Sequence, residues 1–326
     1  MKRHESLVNI LGTDLHVSRL ALGTGPLAGF GRSLSEGESD ELIDYALEDG
    51  INFFDTAPFY GYGKSEVRLG RGLRKNGRPY VLETKVGRVL NPAKNPDTGI
   101  FTDVLPDLEP IFDLSADGVK RSIDESLQRL GVDHIDIALM HDVENHMDQA
   151  INEAYPVLDD YRSQGIIKGV GTGLNYCKES IRFITECDIN VTLIAGRYTL
   201  LDQEAGRELL PLAQKRNVSV LAAGVFNSGI LANPQPGATY EYAPASPQII
   251  ERAQNIGLFL KERGVSLIAA ALQFPLQNPG ITAVLNGASN AGELAANIDH
   301  FNTELPEGLW DEMREAGLLE VAHTSL

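Results

Sequence analysis

The chain has 326 residues, 43% hydrophobic and 22% charged, an ordinary globular composition. A net charge of −17, from 28 basic and 45 acidic side chains, repels phosphate backbones and anionic lipid, so no role on nucleic acid or at a membrane surface is expected. No apolar stretch approaches the ~18 residues of a membrane span, no apolar leader follows Met1–Glu5, and only Cys177 and Cys187 carry thiols, so a cytoplasmic protein with reduced cysteines is expected.

From the N-terminus, Leu7–Val17 turns at Gly12-Thr13 and reads as a hairpin. Eight strand candidates follow: Leu20–Gly23, Phe53–Asp55, Val81–Lys85, Ile135–Met140, Gly169–Gly173, Thr192–Ala195, Ser219–Ala222 and Thr282–Leu285. Helical patterns alternate with them at Glu38–Asp49, Ser65–Arg74, Ser115–Leu130, Met147–Gln164, Lys178–Thr185, Gln203–Arg216, Ile249–Arg263, Leu267–Leu276 and Ala291–Phe301. In Ser115–Leu130, Ser115 can cap the first turn, Val119, Ile123, Leu127 and Leu130 form one apolar stripe, and Gly131 suits a left-handed stop.

Strands that alternate with helices pair in parallel, and eight such units close more naturally than they stay open. The expectation is an α/β fold, a single (β/α)8 TIM barrel spanning residues 1–326 with the N-terminal β-hairpin plugging its bottom. An open doubly wound sheet is the alternative. Two connections after strands are long, Gly87–Leu114 and Asn227–Pro247, each with four prolines. They are read as unstructured loops on the catalytic face, where function concentrates.

Ionisable residues gather at consecutive strand ends: Asp55 after the second strand, Tyr60 five residues on, Lys85 after the third, His141 after the fourth. A lone strand-end histidine or aspartate is usually structural, but four groups at converging strand ends can meet in one cavity. A lysine beside a phenol favours the phenolate and is expected to lower the tyrosine pKa. Asp55 would keep the lysine charged, and His141 could donate to the oxygen that Tyr60 protonates. Such a group moves a proton at an alcohol or carbonyl oxygen, and a nicotinamide would supply the hydride acceptor that makes it a dehydrogenation.

The stretch Gly50–Gly61, containing Asp55-Thr56-Ala57-Pro58-Phe59-Tyr60, resembles the Asp-Thr-Ala-x-x-Tyr signature of aldo-keto reductases. Ser122–Gly131, running on to Ile135-Asp136 and His141, resembles their second signature, and Lys85 falls where their lysine belongs. The resemblance covers about Leu15 to Asn302. It implies an NAD(P)-dependent oxidoreductase with Asp55, Tyr60, Lys85 and His141 as catalytic residues and Tyr60 as general acid/base. It implies a cofactor across the barrel mouth, against Gly23 and Thr24; Gly173 and Asn175; Gly224, Val225, Phe226, Ser228, Gly229 and Leu231; and Gly287, Ala288, Ser289, Glu293 and Asn297. Phe59, Tyr62 and His146 are the expected substrate contacts.

The chain departs from the broad family. Gly171-Thr172-Gly173-Leu174-Asn175 lacks the serine that holds the carboxamide, for which Asn175 is the expected substitute. Ala195 stands in for a glutamine, and Phe226 for a stacking tyrosine. These changes resemble the branch with L-fucose or D-threo-aldose dehydrogenases and pyridoxal 4-dehydrogenase. The segment Leu285–Glu293 has no basic residue for a 2′-phosphate, and Glu293 repels one, so NAD is expected over NADP.

Gly23-x-Gly25-x-x-Ala28 matches a dinucleotide fingerprint, but Pro26 spoils the helix it needs. Gly63-Lys64-Ser65 has Pro58 where a P-loop needs glycine. His141-Asp142-Val143-Glu144-Asn145-His146 is rich in metal-ligand types at loose spacing, leaving a metal-dependent hydrolase or isomerase as an alternative, with no metal expected. A non-catalytic nicotinamide-binding subunit is the third class. The expected substrate is a small molecule, an aldose first and pyridoxal second, and the expected assembly a monomer or homodimer.

Overall fold

The computed structural model describes residues 2–30 and 32–320. Its barrel strands are β1 (Leu20–Gly23), β2 (Phe53–Asp55), β3 (Val81–Val86), β4 (Ile137–His141), β5 (Gly169–Leu174), β6 (Val191–Ala195), β7 (Ser219–Ala223) and β8 (Ile281–Gly287). All pair in parallel and in chain order, and β8 pairs with β1 to close the barrel. This is the expected (β/α)8 architecture, not an open sheet.

Strand alternation sorts the core into two layers. Ala21, Phe53, Val81, Leu139, Leu193 and Leu285 point to the barrel axis. Residues of the opposite parity, such as Leu22, Leu82, Ala138 and Val284, pack under the surrounding helices. The hairpin Leu7–Asn9 with His16–Ser18 lies below, and its Ile10, Leu15 and Val17 complete the axial cluster from the closed end.

Local chemistry sets the helix limits. Helix Ala116–Leu130 starts where the Ser115 hydroxyl accepts from the Gly118 N–H, and stops at Gly131 with φ +64°. The expected helix Met147–Gln164 is interrupted: Ala150–Ala154 widens into a π turn before Tyr155–Ser163. Pro156 has no N–H to give an α-type bond, and the Tyr155 N–H donates to Ala150 instead. The expected helices at Gln203–Arg216 and Leu267–Leu276 each include a 3-10 turn, Glu204–Gly206 and Phe274–Gln277. A further helix, Leu309–Glu315, went unread.

Neither long connection is structureless. Within Gly87–Leu114, Arg88–Pro92 and Leu108–Phe112 form an antiparallel hairpin. Within Asn227–Pro247, Thr239–Tyr240 pairs with Ala243–Pro244 around Glu241 and Tyr242, both at positive φ. Positive φ at both turn residues matches the twist of a tight hairpin.

Candidate active site

Alternation along β3 turns Val81, Glu83 and Lys85 toward the axis, and Lys85, at the open end, is 1% exposed. Its ammonium donates to Asp55 Oδ1 and to the Thr56 carbonyl at 2.9 Å. Asp55 is fixed in turn by β2: its carbonyl accepts from the Thr24 N–H and hydroxyl, and Ser65 donates to Thr24. The loop returns Tyr60 over this pair, with the Lys85 nitrogen 4.9 Å from its ring centroid. His141 closes the group edge-on to Tyr60 at 5.8 Å. Gly173 is the floor beside them, where a Cβ would stand 3.4 Å from Lys85 Cε. The four strand-end residues read from the sequence are therefore brought together.

Their electrostatics differ from the expectation in one respect. Burial works against the Lys85 ammonium, but the paired Asp55, joined by Tyr60 when its phenolate forms, outweighs it and holds Lys85 above the ordinary lysine range. Burial also raises the Tyr60 phenol above its ordinary value, and Asp55 adds to this; the opposing pull of Lys85 does not overcome them. The expected lowering of the tyrosine pKa is thus corrected, and Tyr60 rests as an acid. Burial pushes His141 down to about 3, aided by Lys85 and Arg88 and opposed by Asp142. Its imidazole is a neutral hydrogen-bonding group at neutral pH.

Two residues at the mouth were missed in the sequence. Arg88 lies 4.6 Å from the Phe59 ring centroid and 4.3 Å from that of Phe112. Its guanidinium reaches Asp142 Oδ2 at 3.1 Å, and His141 Nε2 stands 3.6 Å from the same oxygen. Asp142 holds a positive φ of +49°, an unusual backbone for a non-glycine residue at a site. Its place directly after His141 was the available signal. Among the described residues no group of three or more His, Cys, Asp or Glu is arranged to hold a metal.

The aldo/keto reductase family model matches residues 19–317. The chain belongs to the aldo/keto reductase family. It is 38% identical to a pyridoxal 4-dehydrogenase from Microbacterium luteolum, over 94% of this chain and 96% of the relative. It is also 38% identical to a D-threo-aldose 1-dehydrogenase from a Pseudomonas species, over 94% and 95%. Of solved structures, an aldo-keto reductase from Bacillus halodurans superposes with a TM-score of 0.75, 24% identity and 95% coverage of both chains, a likeness of fold. This aldo-keto reductase is an enzyme, a nicotinamide-dependent oxidoreductase of small molecules. Among its described residues no helix is long and apolar enough to cross a membrane.

The expected cofactor residues divide by what they have left to offer. Gly23 and Gly287 are register partners at the mouth, and a Cβ on Gly287 would stand 2.9 Å from Pro26, so glycine lets the loop after β1 lie against β8. Gly224, Ser228 and Gly229 all have positive φ. Asn297 is buried, and its amide nitrogen has no partner among the described residues. That open donor, on the helix Ala291–Asn302 that follows β8, fits a polar ligand such as a dinucleotide. Ala288 is buried in the outer core.

Other expected contacts have side chains that are already engaged. The Thr24 hydroxyl is committed to Asp55 and Ser65. The Asn175 amide nitrogen donates to Asp142 at 2.9 Å and Glu144 at 3.1 Å, so only its oxygen remains to meet a carboxamide. Val225 and Leu231 bury their side chains in the core and can offer only main chain, and Phe226 packs partly against it. Glu293 Oε2 accepts from the Ser289 N–H, and its own N–H donates to Asn290 Oδ1, which caps the helix. The basic group absent from that segment arrives from elsewhere: Arg32 donates to the Ser289 carbonyl at 3.2 Å. Of the substrate residues, Phe59 lies at the mouth, edge-on to His141 at 6.4 Å. Tyr62 does not face it; it is 5% exposed and its hydroxyl donates to the Asp97 carbonyl. His146 packs tilted against Phe112 at the rim, with ring centroids 4.7 Å apart.

Proposed function

We propose that this aldo-keto reductase oxidises the hemiacetal carbon of an aldose such as L-fucose to the lactone, with NAD preferred over NADP. The observation that carries the reading is the buried Lys85–Asp55 pair beneath Tyr60, with neutral His141 beside it. A substrate hydroxyl between Tyr60 and His141 would give its proton to the phenolate form of Tyr60. Lys85 compensates the phenolate charge, Asp55 orients Lys85, and His141 donates a hydrogen bond to the same oxygen. Nicotinamide, when bound, supplies the two-electron acceptor.

The hydrogen-bonding groups at the rim, Arg88, Asp142 and Asn175, suit a polyhydroxylated substrate. The name of the D-threo-aldose relative supports the same class. Pyridoxal is the second reading, favoured by the aromatic wall of Phe59 and Phe112 and by the other relative's name. Carbonyl reduction by the same residues is the reverse direction, for which a protonated Tyr60 is the starting state. Glu293 supports NAD, and Arg32 is the residue that would admit a 2′-phosphate. We take residues 1–326 as one cytoplasmic domain, acting as a monomer or homodimer. NADH or NADPH formation with L-fucose, related aldoses and pyridoxal tests this. Turnover of an aldose with NAD supports it, pyridoxal alone moves the substrate, and a preference for NADP overturns the cofactor argument only.

A further inference from the structure

Beneath the catalytic group lies an acid that the reaction above does not use. Glu83 is fully buried, on the axial face of β3 between Val81 and Lys85. Its register partner on β2 is Asp55, and on β4 it is Ile137, which carries no charge. Among the described residues, no donor reaches either Glu83 oxygen. The Lys85 ammonium is committed to Asp55 and Thr56. The second buried glutamate nearby, Glu66, is different: one oxygen accepts from the Thr84 hydroxyl at 3.0 Å, the other from Arg129 at 2.6 Å. A carboxylate buried without donors is strongly disfavoured, and of two carboxylates facing each other one keeps its proton. The charges that act on Glu83 are Asp55 from β2 and Lys85 from its own strand.

We propose that Glu83 is a neutral carboxylic acid that donates its proton as a hydrogen bond to Asp55, and so is a positioning residue that limits the charge beneath Lys85 and Tyr60 to a single minus. Burial and the facing Asp55 both hold its carboxyl well above the usual carboxylate range. With Glu83 neutral, Lys85 and Asp55 cancel, and the Tyr60 phenolate meets an ammonium with no surplus negative charge. An ionised Glu83 would add that surplus and oppose the base form of Tyr60. The role in turnover rests on the reading of Asp55, Lys85 and Tyr60 as the catalytic group; the protonation of Glu83 does not.

Infrared spectroscopy of the whole enzyme at pH 8 tests the proton directly. The carbonyl stretch of a protonated carboxyl, distinct from the carboxylate bands, is expected in the wild type and absent in Glu83→Gln. If that variant does not fold, 13C-glutamate labelling of the wild type must shift the band. The pH profile of alcohol oxidation tests the role. Glutamine is neutral and can still donate to Asp55, so the profile stays in place; Glu83→Leu removes the donor and moves the rising limb up by about one unit. A purely space-filling Glu83 would leave both profiles alike. Absence of the band, or a limb that moves down in Glu83→Gln, overturns the proposal. A band without measurable oxidation keeps the protonated Glu83 and overturns its role in turnover.

Discussion

Lowering the pH from 7 to 5 should destabilise this enzyme through His141, and replacing that residue by glutamine should remove that share of the loss. His141 is 8% exposed, and burial holds its imidazole pKa at about 3 against an ordinary 6.5. Between these values the unfolded chain takes up a proton that the native site refuses. The contribution is therefore complete above pH 6.5, falls as pH falls, and levels off near 3. At pH 5 the loss is about 2 kcal/mol, from 1.36 kcal/mol per unit over about one and a half units. Other carboxyl and imidazole groups titrate in the same range, so the comparison is a double difference. Urea unfolding of wild type and His141→Gln at both pH values should show the wild type losing about 2 kcal/mol more than the variant. Equal losses would refute the claim that His141 is held neutral by the fold.

Tyr60→Phe should reduce turnover by about 10²–10⁴-fold while leaving the melting temperature in place; undiminished turnover would remove Tyr60 from its role. Because the phenol sits above its ordinary value and oxidation needs its base form, the rate of alcohol oxidation should climb from pH 7 into the alkaline range, and a rate that declines over that interval contradicts the assignment. Gly70 lies where helix Lys64–Asn76 crosses helix Ala116–Leu130, and a Cβ there would stand 1.8 Å from the Leu130 carbonyl oxygen. Gly70→Ala should cost about 1–3 kcal/mol in chemical denaturation with the Michaelis constants kept, and unchanged stability would mean the helices do not pack this closely. Arg32→Ala should lower kcat/KM for NADP relative to NAD by about tenfold, the loss of one charge-assisted hydrogen bond; an unaltered ratio would put recognition of the 2′-phosphate elsewhere.

The barrel was legible because its strands are short apolar runs separated by amphipathic helices, and that alternation survives without any knowledge of contacts. Asp55, Lys85 and His141 were legible for the same reason: each ends such a run, so topology alone brings them together. What escaped depends on distance along the chain. Arg88 meets Asp142 across 54 positions and Arg32 meets Ser289 across 257, and no local pattern announces either. Tyr62 was misjudged because its position two residues past Tyr60 says nothing of its left-handed backbone, which turns the ring into the small core around Phe101. Glu83 was visible as an acid on a strand, two residues before Lys85 and hence on the same face. Its lack of donors could be seen only with every neighbour in place.

The hairpin connection of residues 87–114 is laced to the two loops before it. Thr102 and Asp103 donate main-chain bonds to Gly29 and Ala28, Leu105 donates to Gly61, and Phe30 pairs with Phe101. Three segments that follow three different strands are thus stitched into one wall. An insertion or deletion at the bonded positions, residues 28–30, 61 and 101–105, would undo the seam. Along this side of the mouth the bonded backbone is held in place, so exchange of a side chain such as Phe59 or Arg88 reshapes the wall without breaking the seam.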